Sequence, residues 1–93
     1  MVSHAKLLGF LHQPNLQLLR IALIAAVKQS RLKRNLSQTD LAERMQSSQS
    51  RVAKLEAGDT SVSLDLIVRA LLATGATRRD VQKVFSSKIP VSA

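Results

Sequence analysis

The stretch from Leu36 to Gly58 constrains this chain more than any other part of it. It reads as two short helices joined by a tight polar turn and closed by a glycine. Apolar residues fall at Leu41, Ala42, Met45, Val52 and Leu55, the spacing that lets two helices bury a shared seam. The residues left outside between Ser48 and Lys54 are small, amide-bearing or cationic. A second helix with that outer face is built to meet polar, hydrogen-bonding edges rather than another apolar surface.

The charge balance narrows the partner. Formal net charge is +8 over 93 residues, which favours a polyanion, nucleic acid before a membrane surface. Residues 1–36 carry Lys6, Arg20, Lys28, Arg31, Lys33 and Arg34 and no acid. Across residues 37–60, Arg44, Arg51 and Lys54 are offset by Asp40, Glu43, Glu56 and Asp59. The two-helix unit is therefore nearly neutral. Attraction to phosphate is expected from Lys28–Arg34 and from Arg78, Arg79 and Lys83. The longest apolar run, Ile21 to Val27, is far short of the ~18–20 residues of a membrane span, so no membrane partner is expected and the location is read as cytoplasmic. There is no cysteine, which excludes disulfides and thiolate metal sites.

The remaining pattern is helical. Pro14 suits a first helical turn, and from there to about Arg34 the residues favour helix, with no internal Gly or Pro. The middle of this helix is apolar nearly all round, so it buries more than one face. The second face is read as a dimer contact or partner surface, the alternative being a central core helix within one subunit. Asn35 suits a left-handed C′ position, and Ser37, Ser47 or Ser48, and Ser63 suit N-caps. Leu64, Ile67, Val68, Leu71 and Leu72 form a stripe that ends at Gly75. Thr77 and Asp80 form a capping box before a short last helix with Val81, Val84 and Phe85 inward. The expected fold is all-α with five helices, the N-terminal one extended. The expected divisions are an extension over 1–13, a domain over 14–86 with its motif at 38–57, and a tail over 87–93.

Residues 31–75 resemble the Cro/C1-type (Xre) helix-turn-helix family, which includes the lambda repressor DNA-binding domain. The resemblance rests on Leu36-Ser37-Gln38, Leu41-Ala42, Ser48-Gln49-Ser50, Val52, Leu55-Glu56 and Gly58. It implies a lambda-repressor-like domain that binds double-stranded DNA as a homodimer and regulates transcription. Gln38 would touch phosphate and brace the second motif helix, and Gln49 would read adenine. Amide chemistry agrees, since Gln offers one donor and one acceptor to adenine N6 and N7. Ser50 and Lys54 are four apart and align on the exposed face. Lys54 is read onto guanine or phosphate, Arg51 onto phosphate, and Ser48 onto a cap and a phosphate. Thr60 and Ser61 would reach the DNA backbone through hydroxyl and N–H groups. Arg31 and Glu56 match an ion pair across the domain.

Two positions leave the family pattern. Gln46 stands where the turn usually has Gly, and a positive φ there would cost a Gln ~1 kcal/mol or more. Ser47 stands where an apolar residue is usual, so a small core contact is lost.

The chain also resembles HigA-type antitoxins in size and in its single domain. That implies a toxin protein as the alternative partner, facing residues 1–13 and 16–27. With no Gly-rich loop and no His–Ser–Asp set, no enzyme is expected. His4 and His12 lack acidic or thiol neighbours, so no metal or other cofactor is expected.

Overall fold

The computed structural model describes the backbone of residues 14–88 and the side chains of residues 17–86. Among the described residues five helices follow one another: α1 Pro14–Lys33, α2 Gln38–Arg44, α3 Gln49–Glu56, α4 Leu64–Ala73 and α5 Arg78–Lys88. No strand occurs among the described residues. The last helix runs to Lys88, two residues past the expected end of the domain at 86. The 1–13 segment and the rest of the tail lie outside the described residues.

α1 is the central strut, ~30 Å long at 1.5 Å per residue. It packs on α3, α4 and α5. Leu19, Leu23 and Val27 are its buried stripe, spaced four apart on one face. They meet Leu41 and Ala42 of α2, Val52 and Leu55 of α3, and Ile67, Ala70 and Leu71 of α4 in one core. Val81, Val84 and Phe85 of α5 pack against it, partly buried. In α4 the inward face is Ile67, Ala70 and Leu71, whereas Leu64 and Leu72 are exposed. The expected stripe of Leu64, Ile67, Val68, Leu71 and Leu72 is thus rotated slightly. Small Ala70 takes an inner position, fully buried in the core.

The opposite side of α1 is left uncovered by the described residues. Leu18, Ile21 and Leu32 are 50, 61 and 54% exposed. α1 thus has a core face within the subunit and, among the described residues, an exposed apolar outer face.

Three helices end the same way with different residues. Asn35, Gln46 and Gly58 have φ of 57, 54 and 83°. In each, the next residue's N–H reaches back to the carbonyl five residues before it. Leu36 bonds to Arg31 at 3.0 Å, Ser47 to Ala42 at 2.8 Å and Asp59 to Lys54 at 3.0 Å. This is the Schellman closure, which satisfies carbonyls that the helix leaves open. A Cβ at Gly58 would meet nothing within 4 Å, so the glycine there answers only to its dihedral angle.

At Gln46 the same angle is held by a residue with a Cβ, and Ser47 beside it buries its Oγ with no hydrogen-bond partner. Both features weaken the turn. Gln46→Gly is expected to raise stability by about 1 kcal/mol, and Ser47→Ala to raise it further by removing an unpaired buried hydroxyl. Urea unfolding of both variants checks this, and a loss of stability in either would show that the turn is not strained.

Candidate nucleic-acid interface

The turn sets α3 with its polar face outward. Ser48 caps it, its side chain accepting from the Arg51 N–H at 3.2 Å. Val52 and Leu55 face the core, and Gln49, Ser50, Arg51 and Lys54 are exposed. Ser48, Ser50, Arg51 and Lys54, with Ser61 and Ser63 from the following loop, line a hollow of about 390 Å³. Its walls carry hydroxyls and two cations, a surface suited to anionic oxygen.

Behind this face runs a directed chain of hydrogen bonds. Arg31 of α1 donates from Nε to Glu56 Oε2 at 2.7 Å and from Nη2 to Oε1 at 2.9 Å. The side chains are only 8 and 5% exposed. Arg31 Nη1 also donates to the Leu36 carbonyl at 2.8 Å, tying the α1–α2 junction to the pair. Gln38 Nε2 donates to Glu56 Oε1 at 3.1 Å, and Gln49 Nε2 donates to Gln38 Oε1 at 2.7 Å.

A carboxylate only accepts, so Gln38 must turn its NH2 toward Glu56. Its oxygen then faces Gln49, which must answer with its own NH2. One ionised group thereby settles the orientation of both amides. Gln49 keeps one N–H and its carbonyl oxygen free, the donor and acceptor that a two-point contact with adenine uses. Gln38 keeps one N–H free for phosphate.

The loop after α3 is held from beneath. Arg20 Nη2 donates to the carbonyls of Asp59 at 2.9 Å and Val62 at 2.6 Å. Sequence reading did not single Arg20 out. The available signal was its isolation, a lone cation between Leu19 and Ile21 in an apolar run. Asp59 accepts from both the N–H and the hydroxyl of Ser61, at 2.8 and 2.7 Å. Those bonds hold its carboxyl below the ordinary range, with Lys54 and Arg20 adding to the effect. Ser61 thus has both donors committed to Asp59 and, as placed, offers phosphate no proton. Thr60 is exposed and is the loop hydroxyl left for that role.

The cations expected to draw in phosphate do not gather in one place. Arg31 is buried in its ion pair. Lys28 lies near Glu56, close enough to help lower its pKa. Lys33 and Arg34 share a cleft with Lys83 of α5, away from α3.

The helix-turn-helix family model matches residues 27–81, more than half of the chain. The chain belongs to the Cro/C1-type helix-turn-helix family. No curated protein and no solved structure matches it. Cro/C1-type domains are DNA-binding transcription regulators, and this chain has that domain. The match spans the last third of α1, all of α2, α3 and α4 and the start of α5, and takes in the whole hydrogen-bonded chain from Arg31 to Gln49. No helix among the described residues is long and apolar enough to cross a membrane.

Proposed function

We propose that this Cro/C1-type protein reads a specific DNA sequence as a homodimer, with α3 of each copy in a major groove. The observation that carries base reading is the held Gln49 amide, with one donor and one acceptor free at the exposed start of α3. Ser50 and Lys54 lie beside it, while Ser48, Arg51, Gln38 and Thr60 surround it as phosphate contacts. Gln49→Ala is expected to cost about 1–3 kcal/mol at the preferred base and to relax selectivity there. Arg51→Ala should weaken all sequences alike and reduce the salt slope by about one. Selection of bound duplexes from a random pool, followed by titration of both variants, checks this. Unchanged discrimination in Gln49→Ala would remove Gln49 from base reading.

The dimer reading rests on the outer face of α1. One recognition helix supplies few base contacts, so two copies are needed for useful selectivity. Leu18, Ile21, Ala25 and Leu32 are exposed and follow the three-and-four spacing of a helix-pairing seam. Lys28 completes the series. The second copy is the occupant we assign to this face. A toxin protein, as in an antitoxin, is the alternative occupant. A monomeric mass for the isolated chain, together with a stoichiometric complex with a small ribonuclease, would favour that alternative.

A further inference from the structure

We propose that the cationic cleft between α1 and α5 binds the phosphate backbone of a second DNA duplex while α3 holds the first. The inference rests on DNA as the ligand of this protein but uses a different surface from the reading of α3.

Placement is the first argument. Lys33 lies two residues from Arg31, about 200° round the helix at 3.6 residues per turn. Arg31 points to α3 through Glu56. Lys33 and Gln29, one turn apart on α1, line the cleft with Arg34 just past the helix end and with Asp80 and Lys83. The cleft therefore opens on the side of α1 turned away from the α3 network. A duplex lying along α3 leaves it free.

Charge is the second. Lys33, Arg34, Arg79 and Lys83 are all exposed, and the cleft of about 220 Å³ adjoins a hollow lined by Arg79, Gln82, Lys83 and Ser86. Among the described residues the one salt bridge is Arg31 with Glu56, so none of these cations is neutralised by a carboxylate in contact. Asp80, the acid nearby, accepts from the Thr77 N–H at 2.8 Å as the partner in a helix cap. Bonds from Thr77 and, after them, the charges of Lys83 and Arg34 keep it ionised, while its carboxylate is turned to the backbone.

Construction is the third. Arg34 is held in place, donating from Nη1 to Ser30 Oγ at 2.7 Å and from Nη2 to the Gly75 carbonyl at 3.2 Å. Ser30 Oγ in turn meets Thr74 Oγ1 at 2.6 Å, and Thr74 donates to the Leu71 carbonyl at 2.6 Å. Gly75 leaves room for this, since a Cβ there would stand 2.9 Å from Arg34 Nε. Arg78 and Arg79 occupy the first turn of α5, where the helix dipole disfavours cations. Arg79 of that pair lines the hollow that shares Lys83 with the cleft, where a phosphate ligand would offset the unfavourable placement.

The test is a two-step capture on the full chain. Protein is loaded on an immobilised random-sequence duplex and washed, and a labelled second duplex is then added. Wild type is expected to retain the label. Lys33→Glu/Lys83→Glu should load on the first duplex within about threefold of wild type yet retain about tenfold less of the second. Lys33→Arg/Lys83→Arg, which keeps the charge, should capture normally and exclude a folding defect as the cause. Capture by the Glu variant at the wild-type level overturns the inference. So does failure of the Arg variant, or preferential binding of a poly-glutamate peptide at the cleft. Arg51→Glu/Lys54→Glu reports separately on α3, because unchanged loading there would sink the reading of α3 while leaving the capture step to judge the cleft.

Discussion

Glu56→Ala is expected to destabilise the domain by about 3 kcal/mol, at the lower end of the cost of breaking a buried ion pair. Arg31 would be left nearly buried with a charge and two N–H groups unanswered. Against a total stability of about 5–15 kcal/mol for a small domain, that is a large fraction. Glu56→Gln should not rescue it. Arg31 and Gln38 both donate to the Glu56 carboxylate, and an amide offers one acceptor where two are needed. Replacing both partners, as in Arg31→Met/Glu56→Leu, should cost less than Glu56→Ala alone, because no charge is stranded. Denaturant unfolding of the three variants checks this order. If the double replacement is as unstable as the single, the pair matters for reasons other than stranded charge. The loss also reaches function. Without Glu56 nothing sets which way the Gln38 amide turns, so Gln49 loses its fixed donor and acceptor.

The same pair gives the domain an acid limit. Burial pushes the Glu56 carboxyl upward, but bonds from Arg31 and Gln38 and the charges of Arg31 and Lys28 outweigh it, so its pKa lies below the ordinary carboxylate value. Asp40, Asp59 and Asp80 are lowered too, chiefly by backbone N–H groups of Ser37, Ser61 and Thr77. A folded-state pKa below the unfolded one adds stability above the unfolded value, near ~4 for carboxylates. That stability is lost as pH falls through the folded values. Thermal stability should thus be level near neutrality and fall below about pH 4. Glu56→Gln should show a shallower fall, since one of the four carboxylates is gone.

What could be read from the sequence was local. Ser37, Ser48 and Ser63 are caps because a short hydroxyl satisfies a first-turn N–H, and each does so here. Asn35, Gln46, Gly58 and Gly75 take the left-handed turns because one residue there must. Long-range bonds left no comparable trace. Arg20 reaches carbonyls at Asp59 and Val62, Arg34 reaches Gly75, and Arg44 reaches Ala73. To a pattern search each is simply a cation on a helix. In α4, apolar residues are so dense that several rotations fit equally well, which is why the sequence pattern puts Leu64 and Leu72 inward and passes over Ala70. The grouping of Lys33 and Arg34 with α5 follows from how α5 folds back on α1. Adjacent charges in the sequence gave no hint of that split.

Ile21→Glu is expected to leave the fold intact and lower operator affinity by about 100-fold or more, the scale of avidity lost when two linked sites become one. Ile21 is the most exposed large apolar residue among the described residues, so a charge there should change monomer stability by no more than about 0.5 kcal/mol. In a pair of α1 helices it would lie at the seam, and its desolvation would oppose association. An antiparallel arrangement suits the stripe. With the two-fold axis between Ile21 and Ala25, the large side chain of one copy meets the small one of the other. Leu18 then meets the aliphatic stem of the other copy's Lys28, whereas a parallel arrangement would stack the two Lys28 charges. Sedimentation of wild type and variant, alone and with operator, reads the outcome directly. Dimers for wild type and monomers for Ile21→Glu place the contact on α1. Dimers for both would move it to another face of the molecule. Monomers for wild type, even on operator, would end the homodimer reading and turn attention to a different protein on the same stripe.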